Sequence, residues 1–297
     1  MTLELFLQNL ANAIAVGSLY ALIAVGYTMV YGILRLINFA HGDIFMMAAY
    51  FTFFGIADFH LPWYFACIFV IVLTAGLGML IERVAYRPLR DAPKDSILVS
   101  AIGVSFLLEN LANYLFTGKP KAFPDFLGLM STISLGSVTI QKVALVVPVV
   151  LIICMAILLF VINKTKLGMA MRAVSKDYEI ARVMGININL VIAATFGIGS
   201  SLAAVGVILW GMKYPQVSPL MGVMPGLKCF VAAVIGGIGN IKGAVLGGFI
   251  LGLIEVMLVA FLQPLTGYRD AFAFILLILV LLVKPTGLIG EKTTEKV

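Results

Sequence analysis

Nine apolar segments occupy most of this chain, at roughly Leu10–Leu34, Asp43–Asp58, Trp63–Ile81, Ile97–Thr117, Val143–Ile162, Leu190–Gly211, Val223–Ile238, Gly243–Leu262 and Ala271–Val283. About 20 apolar residues in a helix traverse the hydrocarbon layer of a bilayer, and several of these segments approach that length. Inside lipid no water satisfies the backbone, so each crossing must be a helix that pairs its own N–H and C=O groups. Composition agrees. Hydrophobic residues make up 62% of the chain and charged residues 11%, against about 25% charged in a soluble domain. The expected fold is therefore all-α: a polytopic transmembrane helical bundle of about 8–9 membrane segments, one domain over residues 1–297, with no room for a large soluble part. Asp43–Asp58, Val223–Ile238 and Ala271–Val283 are short. Short or Gly-broken segments are candidates for discontinuous helices, which are tolerated only where protein or a water-filled cavity surrounds them.

Charge sets orientation. The net charge of +6 is not a nucleic-acid signature in a chain of this kind. If the spans alternate, Arg83, Arg87, Arg90 and Lys94 share a face with Lys164, Lys166, Arg172, Lys176 and Arg182, and with Lys284, Lys292 and Lys296. The opposite loops hold only Lys119, Lys121, Lys142, Lys213 and Arg269. Basic loops stay cytoplasmic, so the first set faces the cytoplasm. Nine true crossings would put the N-terminus outside; one re-entrant segment would put it inside. No Lys or Arg precedes the first apolar run, and that run is too long for a signal-peptide core, so a cleaved signal is not expected. Cys67, Cys154 and Cys229 are isolated, without metal or redox spacing. The loop Gly118–Lys142 reads as a short ordered cap.

One polar, basic stretch stands out, Lys166-Leu-Gly-Met-Ala-Met-Arg-Ala-Val-Ser-Lys-Asp-Tyr-Glu-Ile-Ala-Arg-Val-Met-Gly185, inside a cytoplasmic loop of about 163–189. It has helix logic over Lys176–Met184: Ser175 as a cap, Asp177 and Glu179 in the first turn, and Gly185 as a stop. Tyr178, Ile180, Ala181, Val183 and Met184 leave an apolar surface rimmed by charge, which marks a docking site for a partner. A helix lying among lipid headgroups is the competing reading.

Gly168-x3-Arg172-Ala173…Ala181-x3-Gly185 resembles the coupling motif of ABC importer permeases. Ile37-Asn-Phe-Ala-His-Gly42, Ile81-Glu-Arg-Val-Ala-Tyr-Arg-Pro88, Ala232-Ala-Val-Ile-Gly-Gly-Ile-Gly-Asn240, Gly243-Ala-Val-Leu-Gly-Gly248 and Lys284-Pro-Thr-Gly-Leu-Ile-Gly290 together resemble one branch of that family, the permeases of branched-chain amino-acid uptake systems of the LivH type. The resemblance runs nearly end to end. It implies a multi-pass subunit of the bacterial cytoplasmic (inner) membrane, with the ABC importer permease fold and a cytoplasmic coupling helix. It implies two cytoplasmic ABC ATPases as motor, a second and different permease completing the pathway, and a periplasmic or extracytoplasmic binding protein that delivers Leu, Ile, Val or close relatives. Gly168, Arg172, Ala173, Asp177, Glu179, Ala181 and Gly185 are then the ATPase-coupling residues. The chain has no G-x4-G-K-[S/T] phosphate loop. ATP would be bound by the partner subunits, and this chain would be no enzyme and need no cofactor of its own.

Other residues carry open alternatives. Arg35, Asn38, His41 and Asp43 form a dense polar cluster, either a turn between spans or an unwound part of the translocation pathway, for which Asn38, His41 and Gly42 are the candidates. His41 has no second ligand at metal spacing. Gly236, Gly237 and Gly239 begin a glycine cluster that continues through Gly243, Gly247, Gly248 and Gly252. Its small-xxx-small spacing suits close helix packing or a Gly-broken element facing the pathway. Asn38–Ala49 and Gly239–Phe249 show a faint mutual likeness. Glu109 and Glu255 lie inside apolar segments, where an acid is a functional hypothesis by default. As structural, hydrogen-bonded acids they suit an ATP-driven permease. As proton carriers they would make the chain a proton-coupled secondary amino-acid carrier. A passive channel, and an ABC permease for urea or short amides, are further rivals.

Overall fold

The computed structural model describes residues 3–90, 92–135 and 138–290. Its helices are α1 (Leu3–Leu34), α2 (His41–Ala57), α3 (Trp63–Ile81), α4 (Lys94–Phe116), α5 (Lys142–Lys164), α6 (Lys166–Lys176), α7 (Tyr178–Val183), α8 (Ile188–Lys213), α9 (Val223–Gly236), α10 (Ile241–Phe261) and α11 (Arg269–Val283). A π-helical turn, Glu82–Tyr86, and a 3-10 turn, Arg87–Leu89, extend α3, and a further 3-10 turn, Gln263–Tyr268, leads into α11. Among the described residues seven helices are long and apolar enough to cross a membrane: α1, α3, α4, α5, α8, α10, and α11 with its leading turn. Each of the nine apolar segments becomes one helix. The ends move by a few residues, most at α1, which starts at Leu3 rather than Leu10.

The three short segments separate into two kinds. α11 is peripheral, with Ala273 its one buried residue, so its shortness reflects the turn before it and not a break. α2 and α9 are interior. α2 is buried without interruption from His41 to Tyr50, and α9 from Val231 to Gly236. Each is preceded by non-helical chain, residues 35–40 before α2 and mostly 214–222 before α9. The two starts meet. A Cβ on Gly42 would lie 2.5 Å from the Gly222 carbonyl oxygen, and one on Gly226 2.9 Å from Gly42 Cα. Asp43, in the first turn of α2, accepts a hydrogen bond from Ser105 Oγ, and Ser105 lies halfway along α4. Both broken helices therefore begin deep in the membrane, enclosed by the other spans, as irregular backbone at that depth must be.

Pairing is pseudo-symmetric. α1 crosses α8 where Gly26 and Gly199 face each other, a Cβ on either meeting the other's carbonyl oxygen at 2.7 or 2.9 Å. α3 packs on α8 at Gly78 and Ser200, as α10 packs on α1 at Gly248 and Ala21. The order α1-α2-α3 thus corresponds to α8-α9-α10 with inverted direction, the internal repeat common in transporters. The faint likeness of Asn38–Ala49 to Gly239–Phe249 is corrected here. The partner of α2 is α9, because the repeat starts at α8 and the glycines of 239–249 serve a helix junction. Gly222→Ala is expected to cost about 1–3 kcal/mol through overpacking, read as a lower thermal unfolding temperature. Gly103, whose Cβ would meet nothing within 4 Å, supplies the control. Equal stability of Gly222→Ala and Gly103→Ala would sink the close-approach argument.

Two hydrogen bonds place the start of α1. Lys213 Nζ at the end of α8 donates to Asn12 Oδ1 in α1 (3.5 Å), and Tyr178 OH in α7 donates to the Ile33 carbonyl near the end of α1 (2.7 Å). α1 therefore begins on the face opposite α6 and α7, the relative placement that nine crossings give. Lys292 and Lys296 lie outside the described residues. The outer loop is ordered as a small cap. β1 (Lys121–Ala122) pairs antiparallel with β4 (Gln216–Val217), and β2 (Thr132–Leu135) with β3 (Val138–Gln141). Among the described residues these short strands are the one departure from helical regular structure.

Candidate functional site

On the cytoplasmic face the basic insert is two helices. A single helix over Lys176–Met184 capped by Ser175 is corrected: Asp177 breaks the run, at φ −157° and ψ 118°. Its Oδ1 accepts from the backbone N–H groups of Glu179 and Ile180, at 2.9 and 3.0 Å. A carboxylate at that point satisfies otherwise unpaired helix-start donors and suits the dipole. Ser175 lies within α6 and donates to the Arg172 carbonyl. Gly185 has φ +79°, a left-handed conformation glycine adopts freely. The chain turns there, with Gly185 N–H donating to Arg182 O and Ile186 N–H to Ala181 O.

α6 buries Gly168, Met171 and Val174. Gly168 leaves room for the carbonyls of Val161 and Ile162 at the tight α5–α6 junction. Arg172 donates to Asn163 Oδ1 (3.3 Å), with Ala173 beside it half-buried. α7 turns Ala181 inward, 3% exposed, and presents Ile180, Val183 and Met184 outward, at 63%, 86% and 76%. Glu179 is also exposed. Three large apolar side chains on a charged cytoplasmic surface form a patch that calls for a partner. Two links tie the patch to the membrane helices. Tyr178 donates to Ile33 at the foot of α1. Burial pushes its phenol up from the ordinary range, although Arg90 and Arg35 pull it back, so it stays protonated and donating. Arg90 bridges Glu82 Oε1 (2.6 Å) at the foot of α3 and Asn189 Oδ1 (2.8 Å) at the start of α8.

Inside the bundle, Asn38 and His41 are buried beside each other, at 2% and 1% exposure. Asn38 Oδ1 accepts from Tyr86 OH (2.7 Å), and the His41 ring stands edge-on to Tyr27. Among the described residues, Asn38 Nδ2, His41 Nε2 and Tyr27 OH find no hydrogen-bond partner. Gly42 holds the crossing with Gly222 described above. Gly236, Gly237 and Gly239 sit at the cytoplasmic α9–α10 junction, where Gly236 packs on Gly243, Gly237 on Gly290, and Gly239 near Gly32. The structure does not bring them to the Asn38–His41 cluster.

Toward the outer face lies a cavity of about 290 Å³ between α1, α8, α9, α10 and α11. Lys228, 5% exposed, projects from α9 between two acids: Glu255 Oε1 at 2.8 Å and Asp270 Oδ1 at 2.7 Å. Tyr20 OH donates to the other Glu255 oxygen (2.7 Å). Arg269 Nε stands 3.9 Å from Glu255 and 3.8 Å from Asp270. Glu109 is elsewhere. It is half-buried on α4, beside Asn110 and Asn113, at a separate outer cavity of about 270 Å³ closed by Ser218–Leu220. Sequence reasoning reached Glu255, Glu109 and, within the polar cluster, Asp43, but missed Lys228 and Asp270. The signal for Lys228 was available, a lone lysine inside the apolar segment Val223–Ile238. Asp270 and Arg269 stood at a segment end, where charge is unremarked.

The family model described as "Branched-chain amino acid transport system / permease component" matches residues 9–281. The high-affinity branched-chain amino acid transport system permease protein BraD of Pseudomonas aeruginosa is 43% identical over 305 residues, covering 98% of each chain. The corresponding protein LivH of Escherichia coli strain K12 is 42% identical over 306 residues, again covering 98% of each. Among solved structures, PsaBC from Streptococcus pneumoniae in complex with Fab covers 96% of this chain and 94% of its own, at 14% identity and a TM-score of 0.48.

Proposed function

Because this chain belongs to the family of permease components of branched-chain amino acid transport systems, we propose that it forms half of the translocation pathway of an ATP-driven importer for Leu, Ile, Val or close relatives. It is a multi-pass protein of the bacterial cytoplasmic membrane. The observation that carries the reading is the exposed Ile180–Val183–Met184 patch on α7. It is hydrogen-bonded through Tyr178 to the foot of α1, the most interior long helix. A cytoplasmic ATPase gripping the patch has a lever on the core. When two such ATPases close on ATP, α7 moves. Tyr178 passes the displacement to α1, and Arg90 passes it to α3 and α8. Those helices enclose the broken helices α2 and α9, and Asn38, His41 and Gly42 are the pathway residues that their rearrangement opens. A second, different permease supplies the facing wall. An extracytoplasmic binding protein delivers the amino acid and supplies most of the selectivity, so this chain needs only weak affinity. Glu255 is read as a structural acid because it is already held by Lys228 and Tyr20.

The reading is tested by extracting the tagged chain from native membranes in mild detergent and identifying its companions by mass spectrometry. A second permease and phosphate-loop ATPases are expected. A chain that purifies alone from active membranes would overturn it. Tyr178→Phe removes one hydrogen bond, worth about 1 kcal/mol. It is expected to lower the amount of leucine moved per ATP hydrolysed while leaving ATPase association intact. An unchanged ratio would remove Tyr178 from the lever.

A further inference from the structure

We propose that the outer cavity is a transient docking site for the α-amino-acid zwitterion, held by exchange into the Lys228–Glu255–Asp270–Arg269 ion network; the inference rests on the transport reading above. The network is graded in exposure. Lys228 and Glu255 form a floor, their side chains 6% and 11% exposed, while Asp270 and Arg269 form a rim at 38% and 52%. The rim is also incompletely paired. Asp270 Oδ1 lies 2.7 Å from Lys228 Nζ, near enough for an ion pair, yet among the described residues it accepts no aligned hydrogen bond, although solvent does not reach it. That oxygen keeps acceptor capacity beyond the Lys228 ion pair, which it can offer once the network exchanges.

The chemistry selects the ligand class. Two cations and two carboxylates sum to zero, so a net-charged ligand leaves one buried charge unmatched, which is costly at low dielectric. A zwitterion adds one charge of each sign. Its carboxylate takes Arg269 and Lys228, and its ammonium takes Asp270 and the Glu255 edge. An aliphatic side chain then lies against Trp210, Met221 and Met224, which line the same cavity. Met suits this because it adapts its shape to different apolar groups. A neutral, aliphatic amino acid is favoured over lysine or aspartate, and over a carboxylate or an amine alone.

The test uses the intact permease–ATPase complex in detergent, without the binding protein. Saturation-transfer NMR compares leucine with 4-methylpentanoate, which lacks the ammonium, and leucinamide, which lacks the carboxylate. Leucine should give the strongest signal, and Asp270→Asn and Arg269→Gln should each reduce it at least several-fold in complexes that still elute as assembled. Wild-type complex giving equal signals for all three compounds, or assembled rim variants keeping the leucine signal, overturns the site. The three-compound comparison needs no variant to fold. The same wild-type preparation, placed in vesicles with binding protein and ATP, is assayed for leucine uptake. Uptake without selective binding defeats the cavity alone, whereas absence of uptake defeats the transport reading.

Discussion

Val183→Asp abolishes ATP-driven amino-acid uptake while leaving the permease folded in the membrane at its normal level. Val183 is 86% exposed and faces away from the bundle, so a carboxylate there costs the isolated chain little. At a closed interface the same carboxylate is desolvated without a partner. Central contacts of this kind are worth about 2 kcal/mol or more, which is roughly a 30-fold loss of ATPase association. The measurement pairs co-purification of the ATPase with uptake into vesicles. Gly185→Asp and Arg172→Glu are expected to act in the same direction. Gly185 needs its left-handed turn, and Arg172 holds α6 to the end of α5 through Asn163. Normal uptake in Val183→Asp would mean that α7 lies against lipid headgroups and that the motor grips elsewhere.

Lys228→Met costs about 3–5 kcal/mol of stability, the usual consequence of leaving a buried charge without its partner. Its side chain is 6% exposed and that of Glu255 11%, so solvent screens little of the loss. Glu255 would keep the Tyr20 hydroxyl and the more distant, half-exposed Arg269, whose Nε stands 3.9 Å away. The double change Lys228→Met, Glu255→Gln should recover much of the loss, because no buried charge is then stranded. Thermal unfolding of the two purified variants reads this directly. If the single change is as stable as the parent, the network is not the clamp between α9 and α10.

The nine helices were legible because lipid imposes one rule on every span, and apolar length alone finds them. That the basic loops holding Arg90 and Asn189 share one face was legible from the alternation of spans, and a hydrogen bond joins them. What the sequence concealed was tertiary. Val223–Ile238 and Ala271–Val283 look alike as short apolar segments. One becomes an interior broken helix and the other a peripheral one, since neither apolar length nor composition records which helix sits inside. Close approach of Gly42 to Gly222 joins residues far apart in the chain and leaves no local trace. Within the insert, Asp177 and Ser175 are both good caps, and the choice of Asp177 follows from α6 continuing to Lys176 against the bundle. Glu255 was visible as an acid in lipid, but its meaning depended on Lys228 and Asp270 from two other helices. Asn38 and His41 were found together because they are neighbours in sequence. Their burial and unpaired nitrogens required the fold.

The central claim is that a chemical motor acting through α7 moves this membrane domain. The most direct measurement is leucine accumulation by sealed vesicles containing the purified complex and the binding protein, with ATP on the cytoplasmic side, in the presence and absence of a protonophore. Accumulation that requires ATP and survives the protonophore is the predicted result. Accumulation that needs no ATP and collapses with the proton gradient would contradict the account and return Glu109 and Glu255 to the role of proton carriers.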